Sequence, residues 1–193
     1  MKACAVLLLT TLGLLLAGCA SVPLASGCTR LGQDGVFCAL PPAALPAVSA
    51  SHLVTVTHAG QSQTFLGRLQ IDAHHLRLAG LSLFGTALFT LDYDGRQLAS
   101  HSAVGNLRPE LLLAVLELAV APAGELPPQL HDLSLRVNTA GNRQVRELWN
   151  RGRLIAHIER TGGPLDAAHI SIVIPPAKLA LQLVPLNAPG ATK

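Results

Sequence analysis

Cys28 and Cys38 are the cysteines best placed to react with each other. In an oxidising compartment a disulfide between them closes a small ring, which stabilises by roughly 2–3 kcal/mol in the chain-entropy model. A redox or metal-binding pair is the alternative, but it lacks the close Cys-x-x-Cys spacing. Eight histidines invite a metal reading. His74 and His75 are neighbours in a segment that reads as strand, so their side chains point to opposite faces and cannot share an ion. His52, His58, His101, His131, His157 and His169 show no ligand spacing, so no metal site is expected. No Gly-x-Ser-x-Gly elbow and no Ser-x-x-Lys is present. Asp92 and Asp94 are spaced to share a strand face, as an acid–base pair would, yet turn chemistry accounts for Asp94. Arg136, Arg143, Arg146, Arg151, Arg153 and Arg160 gather in the last third of the chain. Solvated strand faces explain them, with contact to lipid phosphates or an acidic partner as the alternative. These residue types point away from catalysis, and neither an enzyme nor a non-covalent cofactor is expected.

Cys19 has a different setting. Lys2 and an apolar run from Ala5 to Leu16, broken only by Thr10, Thr11 and Gly13, lead to Leu16-Ala17-Gly18-Cys19. A positive start, an apolar stretch and small residues describe a secretory signal over residues 1–18. The four residues ending at Cys19 resemble the lipobox of bacterial lipoproteins. That resemblance implies a diacylglyceryl group on the Cys19 sulfur, cleavage before it and acylation of the new amino terminus. The alternative is an uncleaved membrane helix, for which Ala3 to Ala20, 18 residues, stands at the lower limit for ~30 Å of hydrocarbon. Ala20 and Ser21 follow, with no Asp. In enteric bacteria an Asp there resembles an inner-membrane retention signal, so its absence favours the periplasmic face of the outer membrane.

Loss of residues 1–18 leaves 175, enough for one domain with a core. The whole chain has 14 basic and 11 acidic side chains, and a charge so near balance gives no electrostatic case for nucleic acid. The stretch over 19–50, rich in Ala, Ser, Pro and Gly, reads as the lipidated cysteine and an extended tether. A folded domain is expected over 51–187 and a flexible tail over 188–193.

Within that domain the pattern first has period two. His52 to His58, the face Phe65, Gly67, Leu69 and Ile71, the run His74 to Ala79, the face Ala87, Phe89, Leu91 and Tyr93, and the return Arg96 to Ser102 make five strands. Asp94-Gly95 signals a hairpin before the return. The period then changes: Pro109 and Glu110 open a helix carrying Leu111, Leu112, Leu113, Val115, Leu116, Leu118 and Val120, and Pro122 ends it. Its only charges, Glu110 and Glu117, leave a narrow polar stripe. Such a helix must be covered by another element beside the sheet, or line an apolar cavity. Leu126 to Leu130 reads as a short helical turn. Alternation resumes at Leu133, Leu135 and Val137, in a hairpin around Asn150-Arg151-Gly152, at Ile170, Ile172 and Ile174, and at Leu179, Leu181 and Leu183. The expected fold is therefore mainly β (α+β): a curled antiparallel sheet of about ten strands with a central helical insertion on its concave side.

The stretch Leu76 to Leu91, with Gly80-Leu81-Ser82-Leu83-Phe84-Gly85 between two apolar strands, resembles the strand–loop–strand of the LolA/LolB family. The hairpin, apolar helix and closing strands that follow keep the same order. The chain is similar, too, to a family of small lipoproteins encoded with aryl polyene and fatty-acid-synthesis-like clusters. Leu40-Pro41-Pro42 and the later Asp94-Gly95 carry that likeness. The resemblance implies a half-barrel with the helix as lid. It implies acyl or polyene lipid, or lipoprotein acyl chains, as cargo, and a periplasmic LolA-like carrier as partner. The candidate lipid-contacting residues are Phe65, Leu81, Leu83, Phe84, Phe89, Leu91, Leu112 and Leu116. The alternative function is that of a structural, non-catalytic lipoprotein in an envelope assembly.

Overall fold

The computed structural model describes residues 27–103 and 108–186. The signal over 1–18, the lipidation expected at Cys19 and the tail over 188–193 lie outside them.

Alternating burial makes the strands. In β6 (Ala87–Tyr93) Phe89, Leu91 and Tyr93 are buried, and in β12 (His169–Ile174) Ile170, Ile172 and Ile174 are. The first five long strands, β3 (Val48–His58), β4 (Gln61–Ile71), β5 (Leu76–Leu81), β6 and β7 (Leu98–Ser102), form a meander. A second meander follows: β9 (Ser134–Ala140), β10 (Arg143–Asn150), β11 (Arg153–Thr161), β12 and β13 (Leu179–Pro185). β13 pairs antiparallel with β3, so the two join as one ten-stranded sheet, ordered β7-β6-β5-β4-β3-β13-β12-β11-β10-β9. The sheet does not close, and β7 and β9 are its edges. This is the expected half-barrel architecture.

The helix α1 (Pro109–Val120) has proline in its first turn, with Glu110 beside it, and stops where Ala121 turns extended ahead of Pro122. It packs against β7, an edge strand, and against β11 deep in the other half. One short helix reaches both because the sheet curls around it. Leu113, Ala114, Leu118 and Ala121 are almost wholly buried.

The cover over α1 corrects the tether reading. Residues from Cys28 to Ala50 are folded. β1 (Cys28–Arg30) and β2 (Val36–Cys38) form a hairpin, and β2 pairs with β8 (Leu130–His131) in a separate three-stranded sheet. Leu31, Phe37, Leu40 and Leu45 from this stretch are buried in the same core as α1, which packs on β1. Few as they are, these large side chains match the side of the helix that the sheet leaves open. Asp34 pairs with Arg151 at 2.6 Å, and the Gln33 amide donates to Asn150 Oδ1 at 3.3 Å, fastening the hairpin to the β10–β11 turn. The sheet strand β3 begins at Val48, inside the stretch assigned to the tether.

Cys28 and Cys38 are directly opposed across β1 and β2 and joined, with S–S 2.06 Å. A Cys28→Ser, Cys38→Ser variant loses about 2–3 kcal/mol of unfolding free energy, read by urea denaturation with and without reductant. Reductant lowers the midpoint of the unaltered chain and leaves the variant where it is.

Two smaller readings change. His74 and His75 sit in a turn, not a strand, where Asp72 Oδ1 accepts from both their amides at 2.8 and 2.9 Å. The Asp94-Gly95 hairpin runs over four residues, because Asp94 Oδ1 accepts from the amides of Arg96 and Gln97, and β7 starts at Leu98. These amide donors hold both aspartates below the usual carboxylate range. The expected turn near Leu126 is a single 3-10 turn, Pro127–Gln129.

Candidate functional site

Cross-strand register decides which side chains share the concave face. Val54 pairs with Phe65 on one side and with Leu183 on the other, and Val56 pairs with Leu181. Leu183, Leu181 and Leu179 are opposite the buried Ile170, Ile172 and Ile174. All of these therefore point inward. Yet Val56, Phe65, Leu179, Leu181 and Leu183 are only half-buried, unlike their neighbours on β12. The centre of the sheet thus presents a continuous apolar strip that α1 covers incompletely.

Phe65 meets Phe89 edge to face, ring centres 5.6 Å apart. The two rings come together because the row between their strands is glycine: His52, Gly67, Gly80 and Phe89 stand in line across β3 to β6. A Cβ on Gly80 would meet the Phe89 ring, with Cζ at 2.6 Å. Glycine here makes room for an aromatic ring rather than for a turn.

Of the candidate lipid-contacting residues, the structure brings Phe65 and Phe89 together and sets Leu91 two positions along the same strand face, in the closed core. Leu81 is opposite Leu66 on β4, whose neighbours Phe65 and Gly67 face inward, so it lies toward the convex side. Leu83 and Phe84 are at the β5–β6 tip, 61% and 97% exposed. Gly85, at φ 84°, turns the chain there, and the Ser82 hydroxyl accepts from the Thr86 amide at 3.1 Å. Leu112 and Leu116 lie half-buried on α1, against the core rather than free of it.

Three ionisable groups lie inside the fold against the sequence reading: Glu117 is not on a solvated stripe, Arg146 is not on a solvated strand face, and His52 is a core residue. Glu117 is fully buried on α1. Its Oε2 accepts from the Leu40 amide at 2.8 Å, and its Oε1 has no partner. Burial pushes its pKa up to about 8, against which the single amide donor works only weakly. Arg146 is buried on β10, donating to the Leu118 carbonyl at 2.8 Å and to Gln144 Oε1 at 2.9 Å. Desolvation, helped by Arg160, brings it down to about 10. His52 lies buried with Nε2 3.2 Å from the Ala168 carbonyl oxygen, and burial lowers its pKa. A carboxylate seven residues beyond Glu110, set among Leu, Val and Ala in a helix as apolar as α1, was the available signal for Glu117.

The arginines do not form a patch. Arg143 pairs with Glu159, Arg151 with Asp34, and Arg136 lies over the Trp149 ring at 4.9 Å. Among the described residues no three His, Cys, Asp or Glu side chains are arranged to hold a metal, and no helix is long and apolar enough to cross a membrane.

An open antiparallel half-barrel, curled around one helix and lined at its centre by aliphatic and aromatic side chains, is the class of protein that these features define. The chain belongs to the family described as Protein of unknown function (DUF3261), whose model matches residues 49–187. The matched span opens one residue into β3 and closes just beyond β13, so the β1–β2 hairpin falls outside it. A search of curated proteins finds no match to the chain.

Proposed function

We propose that this protein is a lipid-anchored lipoprotein of the outer membrane, facing the periplasm, that holds acyl or polyene chains on its concave strip for transport or membrane insertion. The half-covered strip from Val56 and Phe65 to Leu179, Leu181 and Leu183 is the observation that carries the reading. Each CH₂ taken from water there contributes roughly 0.8 kcal/mol, so a long chain is held without polar chemistry. The exposed Leu83-Phe84 tip, beside the strand that carries Phe89, is the contact through which cargo or membrane is approached. The likeness of Leu76–Leu91 to the LolA/LolB strand–loop–strand supports the same reading. A LolA-like carrier is the corresponding partner, and aryl polyene lipid or lipoprotein acyl chains the corresponding cargo. In this reading α1 is the lid: its movement uncovers Leu113 and Leu118 and opens the concave strip to cargo.

Native mass spectrometry of the full-length chain, released from detergent after incubation with palmitate, tests binding. A retained adduct that Phe65→Ser reduces supports the strip, and an adduct-free mass rejects it. For transfer to vesicles, Leu83→Ser with Phe84→Ser lowers the rate several-fold and leaves the melting temperature unchanged, because side chains this exposed add little to folding. An unaltered transfer rate removes the tip from the mechanism.

The alternative is a structural lipoprotein of an envelope assembly. What favours it is the edge β9, where Arg136 to Ala140 are all exposed and one row of backbone groups lacks a strand partner. Stoichiometric crosslinking from Asn138 to one protein, without lipid, would select it.

A further inference from the structure

The convex face, away from α1, holds a hollow of about 480 Å³ over β4 to β7 that the concave strip does not use. Register lays two rows across it. Arg68, Ala79, Thr90 and His101 form one, and Gln70, Arg77, Asp92 and Ala99 the other. Small side chains in the middle of the first row make the floor, and longer ones at its ends make the walls. With strands ~4.8 Å apart, the backbones of Arg68 and His101 are separated by on the order of 14 Å, so their side chains can converge above Ala79 and Thr90.

The charges are unevenly matched. Asp92 is taken twice, by His75 Nδ1 at 2.7 Å and by Arg77 Nε at 3.2 Å, and Arg77 also reaches Asp72 at 3.6 Å. The Arg68 side chain, in contrast, makes no ion pair or hydrogen bond among the described residues, and neither does the His101 side chain. A guanidinium without an acid therefore borders a floor that offers the Thr90 hydroxyl and no carboxylate of its own row.

We infer that this hollow binds a phosphate group, held by the Arg68 guanidinium with Thr90 Oγ1 and the His101 imidazole as further donors. Donors arriving from separate strands suit a tetrahedral anion with several acceptor oxygens, and an arginine fork suits two of those oxygens at once. The hollow is larger than one phosphate, so a glycerol phosphate fits, with Gln70 beside its hydroxyls. The inference rests on the convex face alone and stands or falls apart from acyl binding.

Backbone amide NMR of the full-length chain in maltoside micelles, titrated with glycerol 3-phosphate, tests it. Saturable shifts should centre on Arg68, Thr90 and His101. Arg68→Gln with His101→Asn should weaken binding about tenfold or more while the remaining resonances stay in place. Micelles doped with phosphatidylglycerol or with phosphatidylcholine separate the sources. The same shifts from phosphatidylglycerol alone assign a lipid headgroup, and shifts from glycerol 3-phosphate without a lipid effect assign a free organic phosphate. Absence of shifts with both probes, binding unaltered in the double variant, or shifts evoked only by polyglutamate overturn the inference.

Discussion

Glu117→Gln leaves stability at pH 4.5 nearly unchanged and raises it at pH 9 by on the order of 2–4 kcal/mol. The wild-type carboxyl is neutral in the fold up to about pH 8, whereas in the unfolded chain it ionises near 4.5. Between those two values the folded state binds the extra proton, so wild-type stability declines as pH rises through this window. Below 4.5 both states are protonated and above about 8 both are charged, so the contribution is level at each end. Glutamine keeps the acceptor for the Leu40 amide and has no charge to desolvate, which removes the decline. Its amide hydrogens find no partner, but neither does the O–H of the neutral carboxyl on Oε1, which is why the two proteins are nearly equal at pH 4.5. The neighbouring Tyr93, itself raised chiefly by burial and then by Glu117, stays protonated through this range. Urea unfolding of both proteins at pH 4.5, 7 and 9 reads the difference directly. A gap between them that is the same at all three values would show that Glu117 does not titrate in the window.

Gly35→Ala costs about 2–3 kcal/mol, the scale of overpacking a closed site. A Cβ there would stand 2.6 Å from the Leu31 carbonyl oxygen and against the Leu133 side chain. The leucine tip can move, but the carbonyl cannot move freely. Leu31 donates its own amide to the Gly35 carbonyl at 2.8 Å, and its side chain is buried under α1. Relief therefore requires the β1–β2 hairpin to lift from the core. Gly124→Ala is the control, because a Cβ there meets nothing within 4 Å. Thermal unfolding should place Gly35→Ala well below wild type and Gly124→Ala close to it. If the two variants melt together, the hairpin is not held as closely as its contacts indicate.

The amino-acid order alone marked the ten strands of the large sheet, the helix and their succession. Alternation at Phe89, Leu91 and Tyr93, or at Ile170, Ile172 and Ile174, is a local property of a half-buried strand, and Pro109 and Pro122 bound α1 by what proline does to its own backbone. The same pattern announced that α1 needed cover on most sides. Tertiary structure decided what supplies it. Leu31, Phe37, Leu40 and Leu45 are spread through a stretch rich in Pro, Gly and Ala, whose composition reads as tether. Their burial depends on a partner surface many residues away. The turn at His74 and His75 was hidden likewise, because the carboxylate of Asp72 outweighs the strand pattern around it. For the candidate site, residue type marked Phe65, Phe89, Leu83 and Phe84 as apolar. Only register and burial separate the paired rings inside from the tip outside, and only they put Arg68 in line with His101. Periodicity is written in the neighbours along the chain. Which face stays open and which charge goes unmatched are properties of strands brought together in space.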